Sequence, residues 1–262
     1  MNLGALETSF FSWIQLRKIR IVRTGMFSTV AGISSKQETE LLNRLAGKSL
    51  IVRLQKGIYL VPTRIPPGGK WMPDEYEVID FYMKTIESNY QIGGFSIFNY
   101  YGFENQISNS IFVYNTKISG QKKIGVYNIT FIKTDNSKIG NCEVVINSNG
   151  VKAKITNKAR TLFDAVYDYS RYNSIPKAYE WIKESIKNDS NLGEKIIQTT
   201  LRYGNQGTIR RIGYILDKYF PDIEKISELE TELSKSKEPI SLIPNSSRKG
   251  TINKKWRIIA ND

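Results

Sequence analysis

Residues 35–61 constrain the fold more than any other stretch of the chain. Over 35–46 apolar residues recur at helical spacing, placing Leu41, Leu42 and Leu45 on one side with Glu38 beside them. Ser35 and Glu38 have the spacing of a capping box that opens a helix. Two β-rich runs follow at once, 49–54 and 58–61, split by Gln55-Lys56-Gly57. Gly57 supplies the positive φ of a tight hairpin. The leucine face has to be buried, and the preceding residues offer the means. Phe10-Phe11-Ser12-Trp13-Ile14-Gln15-Leu16 reads as a first helix that becomes basic at Arg17-Lys18-Ile19-Arg20. Residues 24–31 read as a short second helix with Phe27, Val30 and Ala31 turned inward, closed by a turn at Gly32-Ile33-Ser34. Three helices followed by a hairpin is the winged helix-turn-helix plan. Residues 1–65 are therefore expected to form such a domain, ended by Pro62, Pro66-Pro67 and Gly68-Gly69.

In that plan the third helix enters the major groove and the hairpin, or wing, reaches phosphate or the minor groove. Opposite the leucines lie Lys36, Gln37, Glu40, Asn43 and Arg44. Gln and Asn pair with an adenine edge, Arg with guanine, and Lys neutralises phosphate. Glu40 either accepts from cytosine or repels the backbone. The expected DNA-binding set is Ser35, Lys36, Gln37, Asn43 and Arg44 on the helix, with Arg53, Gln55 and Lys56 on the wing. A merely solvated polar face is the plain alternative.

Charge supports the polyanion reading. The chain carries a formal +13, distributed as +8 over residues 1–70, −2 over 71–149 and +7 over 150–262. A basic head on a near-neutral middle suggests a module that meets nucleic acid.

Composition narrows the chemistry. The chain has no histidine and one cysteine, Cys142. Ser-His-Asp and Cys-His sites, disulfides and Cys-rich metal sites are thereby excluded, and Cys142 reads as an inert half-buried thiol. Candidate carboxylates for a metal-dependent nuclease are Asp74, Glu75, Glu77, Asp80 and Glu143, but no pair has a strand-borne D/E-x-K spacing and Asp74 to Asp80 reads as a helix start. A non-enzymatic protein without cofactor or metal is expected. No apolar run approaches the ~18–20 residues of a membrane span. The first residues lack the pattern of a secretory signal, so a cytoplasmic protein is expected.

Beyond residue 70 the pattern is mixed α+β. A helix is expected over 74–89, a short one ending at Gly102, strands at 110–114, 125–133, 142–147 and 151–155, and helices at 158–169, 175–187, 192–203 and 208–220. Residues 222–237 read as one more exposed helix. Tyr100, Tyr101 and Phe103, beside the Gly93-Gly94 turn, read as core rather than as a base-stacking platform.

One ordered series runs through these segments. It begins with Leu54-Gln55-Lys56-Gly57-Ile58-Tyr59-Leu60-Val61-Pro62 and continues with Tyr90-Gln91-Ile92-Gly93-Gly94-Phe95-Ser96 and Tyr101-Gly102-Phe103. Ala159-Arg160-Thr161-Leu162-Phe163-Asp164 and Arg210-Arg211-Ile212-Gly213-Tyr214-Ile215-Leu216 follow, then Pro239 to Pro244 and Lys254 to Ile258. The series resembles the AbiEi-type antitoxins of type IV toxin–antitoxin (abortive-infection) systems over almost the whole chain. The resemblance implies a winged helix that binds inverted repeats in its own promoter and represses its operon. It also implies an antitoxin domain, residues 70–262, that counteracts a cognate nucleotidyltransferase toxin without a necessary stable complex.

Arg160 reads as a partner of Asp164 or as a functional cation of that domain. Arg202, Arg210 and Arg211, with Lys195 and Lys218, read as a second basic patch or a solvated helix face. Two alternatives to the DNA-binding antitoxin remain: a toxin-binding protein without specific DNA binding, and the nuclease.

Overall fold

The structure is a computed structural model describing residues 3–65, 69–106, 108–147, 150–234 and 238–261. Pro66-Pro67-Gly68 of the expected domain break and residues 235–237 of the expected last helix lie outside the described residues. The chain divides into two compact units. One comprises residues 1–90, 115–134 and 144–153, the other residues 91–114, 135–143 and 154–262.

The first unit opens with α1 (Ala5–Leu16), β1 (Ile21–Arg23), α2 (Ser28–Ala31), α3 (Ser35–Gly47), β2 (Val52–Gln55) and β3 (Ile58–Leu60). Helical periodicity puts Phe10, Phe11 and Ile14 of α1 inward, against the leucines of α3. Phe10 meets Phe27 edge to face with centroids 5.2 Å apart. Leu41, Leu42 and Leu45 are completely buried, each worth about 1.5–3 kcal/mol relative to exposure. The hairpin forms around Gly57 at φ +73°. Its strands join a third in the antiparallel order β1-β3-β2, with Arg23 opposite Ile58 and Arg53 opposite Tyr59.

Three local expectations are corrected. α1 ends at Leu16, before the basic run 17–20, and the chain then enters strand β1, whose Ile21 and Val22 complete the hairpin's free edge. Val30 is half exposed, since α2 is a single turn that turns Phe27 into the core and Ala31 against it but leaves Val30 outside. The capping box is Ser34 with Gln37: Ser34 Oγ accepts from the Gln37 N–H at 3.2 Å, and Gln37 Oε1 accepts from the Ser34 N–H at 2.9 Å. The sequence offers the motif in two registers, and Glu38 is used elsewhere. Its buried carboxylate accepts the N–H groups of Gly25 and Phe27 at 2.6 and 2.8 Å, closing the start of α2.

The same unit continues beyond residue 65. Asp74 caps α4 (Glu75–Thr85), accepting from the Glu77 N–H at 3.0 Å. Glu77, fully buried, forms an ion pair with Arg20, whose Nε donates to the Val61 carbonyl at 3.0 Å. Residues 115–134 add the hairpin β6 (Gly120–Ile124) and β7 (Tyr127–Lys133), paired as Lys123 with Asn128. Strand β6 was not expected from the sequence, its alternation being masked by Lys122-Lys123. The segment brings Lys117, Lys122, Lys123 and Lys133 and no carboxylate to this unit.

The remaining strands are β4 (Tyr90–Gly93), β5 (Ile111–Asn115), β8 (Cys142–Ile146) and β9 (Lys152–Thr156), and the six-stranded sheet has the order β6-β7-β5-β4-β9-β8. β4 and β9 are parallel through Ile92 and Ile155. The second unit is mainly helical: α5 (Phe95–Tyr100), α6 (Lys158–Tyr167), α7 (Tyr169–Tyr172), α8 (Lys177–Asn188), α9 (Asn191–Tyr203), α10 (Gln206–Tyr219) and α11 (Ile226–Thr231). It closes with β10 (Ile240–Ser241), parallel to β12 (Ile258–Ala260), and β11 (Thr251–Asn253), antiparallel to it. The fold class is α+β, as expected.

Gly213 of α10 is dictated by packing. A Cβ there would lie 2.1 Å from the ring of Trp256, which is fully buried and held by its Nε1–H on Asp217 Oδ2 at 3.0 Å. Alanine is the better helix former by about 1 kcal/mol, yet the clash with a pinned indole costs more, in the overpacking range of ~1–3 kcal/mol. Gly213→Ala is therefore expected to lower Tm, measured by circular dichroism. An unchanged or raised Tm would show that Trp256 yields freely.

Candidate nucleic-acid interface

The exposed side of α3 and the hairpin β2–β3 form the candidate interface, both within the first unit. Burial on α3 separates as its periodicity requires. Glu38, Leu41, Leu42 and Leu45 are buried, while Ser35, Lys36, Gln37, Thr39, Glu40, Asn43 and Arg44 are exposed.

Exposure alone does not make these side chains available. Gln37 spends its acceptor on the N-cap, and Ser35 is the first helical residue, its carbonyl accepting from Thr39 Oγ1 at 2.8 Å. Asn43 Oδ1 accepts from the buried Tyr59 hydroxyl at 3.0 Å, tying α3 to β3. Burial pushes that phenol's pKa up, against the opposing pull of Arg53. Arg44 Nε and Lys48 Nζ donate to Glu7 Oε1 of α1 at 3.1 and 3.0 Å, and Gly4 N–H donates to Oε2 at 3.1 Å. Burial raises the Glu7 pKa, but these hydrogen bonds outweigh it and hold the carboxyl below its ordinary value. Asn43 and Arg44 thus tie the helix to the body of the unit as well as standing on its exposed face. Lys36, Arg53 and Lys56 are exposed and make no ion pair among the described residues. Gln55 is half-buried beside them.

One exposed cation beside the hairpin escaped sequence reasoning. Arg23 is exposed on β1 at the edge of the three-stranded sheet. Thr24 N–H donates to the Gly57 carbonyl at 2.9 Å, which sets this edge beside the β2–β3 turn. The β-branched pair Ile21-Val22 before Arg23 was the available signal.

The expected second basic patch is not assembled. Arg210 and Arg211 are buried in α10. Arg210 Nη1 donates to the Glu238 carbonyl at 2.9 Å, and Arg211 Nε and Nη2 both donate to the Ser241 carbonyl, at 3.3 and 3.2 Å. α10 packs on several sides, so positions that a helical wheel turns outward are covered by the C-terminal segment, and the guanidiniums satisfy its carbonyls. Arg202, Lys195 and Lys218 stay exposed. Arg160 is buried as well: it donates to Asp164 Oδ1 at 2.7 Å and to the carbonyls of Lys138 and Gly140 at 3.0 and 3.3 Å, under the ring of Tyr203. Asp164 keeps the guanidinium charged despite burial. Complete burial pushes the Asp164 carboxyl up to about 6 in spite of Arg160, its Oδ2 having no hydrogen-bond partner among the described residues.

Three of the five candidate carboxylates are likewise occupied: Asp74 caps α4, Glu77 pairs with Arg20, and Asp80 takes Lys84 at 2.5 Å and the Tyr90 hydroxyl at 3.0 Å. Among the described residues no three His, Cys, Asp or Glu side chains gather where they would share a metal ion. The Cys142 thiol donates to Gln91 Oε1 at 3.2 Å and burial raises its pKa, the opposite of an activated thiol. Tyr101 donates to the Thr156 carbonyl, Phe103 stacks on Trp181, and Tyr100 is half exposed.

Among the described residues no helix is long and apolar enough to cross a membrane. No family model and no curated protein matches the sequence. The fold is similar to that in the crystal structure of the Rv2827c protein of Mycobacterium tuberculosis, with a TM-score of 0.63 and 12% identity, covering 98% of this chain and 92% of that one.

Proposed function

We propose that this protein is a DNA-binding autorepressor and antitoxin of the AbiEi type, with α1–α3 and the β1-β3-β2 sheet acting as a winged helix. One observation carries the reading: α3 presents an uninterrupted polar face, backed by buried leucines and flanked by a basic hairpin. Such a helix is built to enter a major groove while the wing follows phosphate. The residues assigned to DNA are Lys36, Gln37, Asn43 and Arg44, with Arg53, Gln55 and Lys56, and now Arg23, on the wing sheet. The second unit is assigned the counteraction of a nucleotidyltransferase toxin, on the resemblance of the sequence alone. The protein acts in the cytoplasm by binding rather than by catalysis.

A gel shift on DNA from just upstream of the reading frame, against a scrambled probe at two salt concentrations, tests the repressor. Specific retention that survives the higher salt is expected. Equal retention of both probes, lost as salt rises, would reduce the face to non-specific charge.

A further inference from the structure

The first unit also contains an open cleft of about 440 Å³ at the root of the wing. Its apolar wall is made by Val52, Trp71, Met72, Val78, Val126 and Tyr127. Arg53 and Lys70 are the charged residues that line it, and no carboxylate does. The walls are held by the backbone and by packing. Trp71 N–H donates to the Ser49 carbonyl at 2.7 Å, and Tyr127 Oη donates to the Pro73 carbonyl at 2.8 Å. A Cβ on Gly125 would stand 3.3 Å from Val52, so the β6–β7 turn already closes on β2.

Three features define an occupant. Met72 and Val126 are 67% and 54% exposed at the rim, apolar surface that a bound molecule would cover. The volume suits a small molecule, for which pockets run roughly 300–1,000 Å³. The lining charge is purely cationic, while burial raises the Tyr127 pKa most and the nearby Glu75 and Asp74 add to that rise. The cleft therefore has an anion-repelling end at Tyr127, and its cations are contributed by Arg53 and Lys70.

We propose that this cleft binds a small amphipathic anion. Its apolar body lies on Trp71, Met72 and Val126 and its acid group pairs with Arg53 and Lys70. The site stands whether or not the chain binds DNA.

Anilinonaphthalene sulfonate, an aromatic body with one fixed negative charge, is the direct probe. Titration of the full chain is expected to give one saturable site. Energy transfer to the bound probe should quench tryptophan emission, and Trp71→Phe should abolish most of that quenching, since the other tryptophan side chains (Trp13, Trp181, Trp256) are buried elsewhere. Charge then separates a built site from a sticky patch. Val126→Glu should weaken the probe about tenfold or more, whereas Val126→Lys should bind it as well as the parent or better. Decanoate should displace the probe, and decyltrimethylammonium at equal concentration should not. Val126 is exposed, so neither variant threatens folding. Equal weakening in both variants, unchanged binding in Val126→Glu, or displacement by the cationic amphiphile as readily as by decanoate would overturn the proposal.

Discussion

Replacing Lys36, Arg53 and Lys56 together by alanine is expected to weaken operator binding by roughly two to three orders of magnitude near 0.1 M salt, and to flatten the salt dependence by about three units of slope. Each cation that neutralises a phosphate releases about 0.9 counterion, so three contacts account for both numbers. These side chains suit the test because they are exposed and make no ion pair among the described residues. Their removal leaves no buried group without a partner, so Tm should move little. A variant at Asn43 or Arg44 would be ambiguous. Asn43 receives the hydroxyl of buried Tyr59, and Arg44 is one of the partners that hold Glu7 ionised. The measurement is a set of binding isotherms at several salt concentrations, with thermal denaturation as the control. An unchanged slope would remove α3 and the wing from the interface.

Arg160→Ala is expected to destabilise the protein by about 3–5 kcal/mol at pH 7.5, the cost of leaving a buried charge without its partner. Among the described residues Asp164 has no other hydrogen-bonded cation, and the carbonyls of Lys138 and Gly140 lose donors at the same time. The loss should shrink at lower pH. In the parent, burial already holds the Asp164 pKa at about 6, above its ordinary value near ~4. The folded state therefore binds the extra proton between those values. Its contribution to stability is fully present below the lower value and is lost as pH rises through the higher one. Without Arg160 the pKa rises further, the stabilising window extends upward, and the difference between variant and parent closes towards pH 5. Replacing both residues by leucine should recover most of the loss, since the pair carries its own desolvation cost. Urea denaturation of the three proteins at both pH values measures this. A loss below ~1 kcal/mol, or one independent of pH, would show that the pair with Asp164 is not what holds Arg160 in place.

Short-range regularities were legible in the residues. Leucines at helical spacing gave α3 its buried side, and Gly57 between two β-rich runs gave the hairpin turn. Where a local motif admitted two solutions, the tertiary contact chose. Ser34/Gln37 and Ser35/Glu38 satisfy the same capping rule, and the first is used because Glu38 is drawn to the N–H groups of Gly25 and Phe27. The availability of Asn43 and Arg44 had no local signal, since their partners Tyr59 and Glu7 are 16 and 37 residues away.

The sequence by itself determined the α+β class, the helix–hairpin order of the first sixty residues and a surplus of positive charge. These depend on residue type, periodicity and turn chemistry, which act over a few residues. The tertiary structure alone decided which cations remain exposed. It buried Arg160, Arg210 and Arg211 under carbonyls supplied from 20 to 30 residues away, and it left Lys36, Arg53 and Lys56 exposed. It also gathered the carboxylate-free segment 115–134 into the same compact unit as the basic head, where a linear count had assigned it to a neutral middle. The reason is physical: a charge is exposed or spent according to what packs over it, and packing brings together residues that no spacing rule connects.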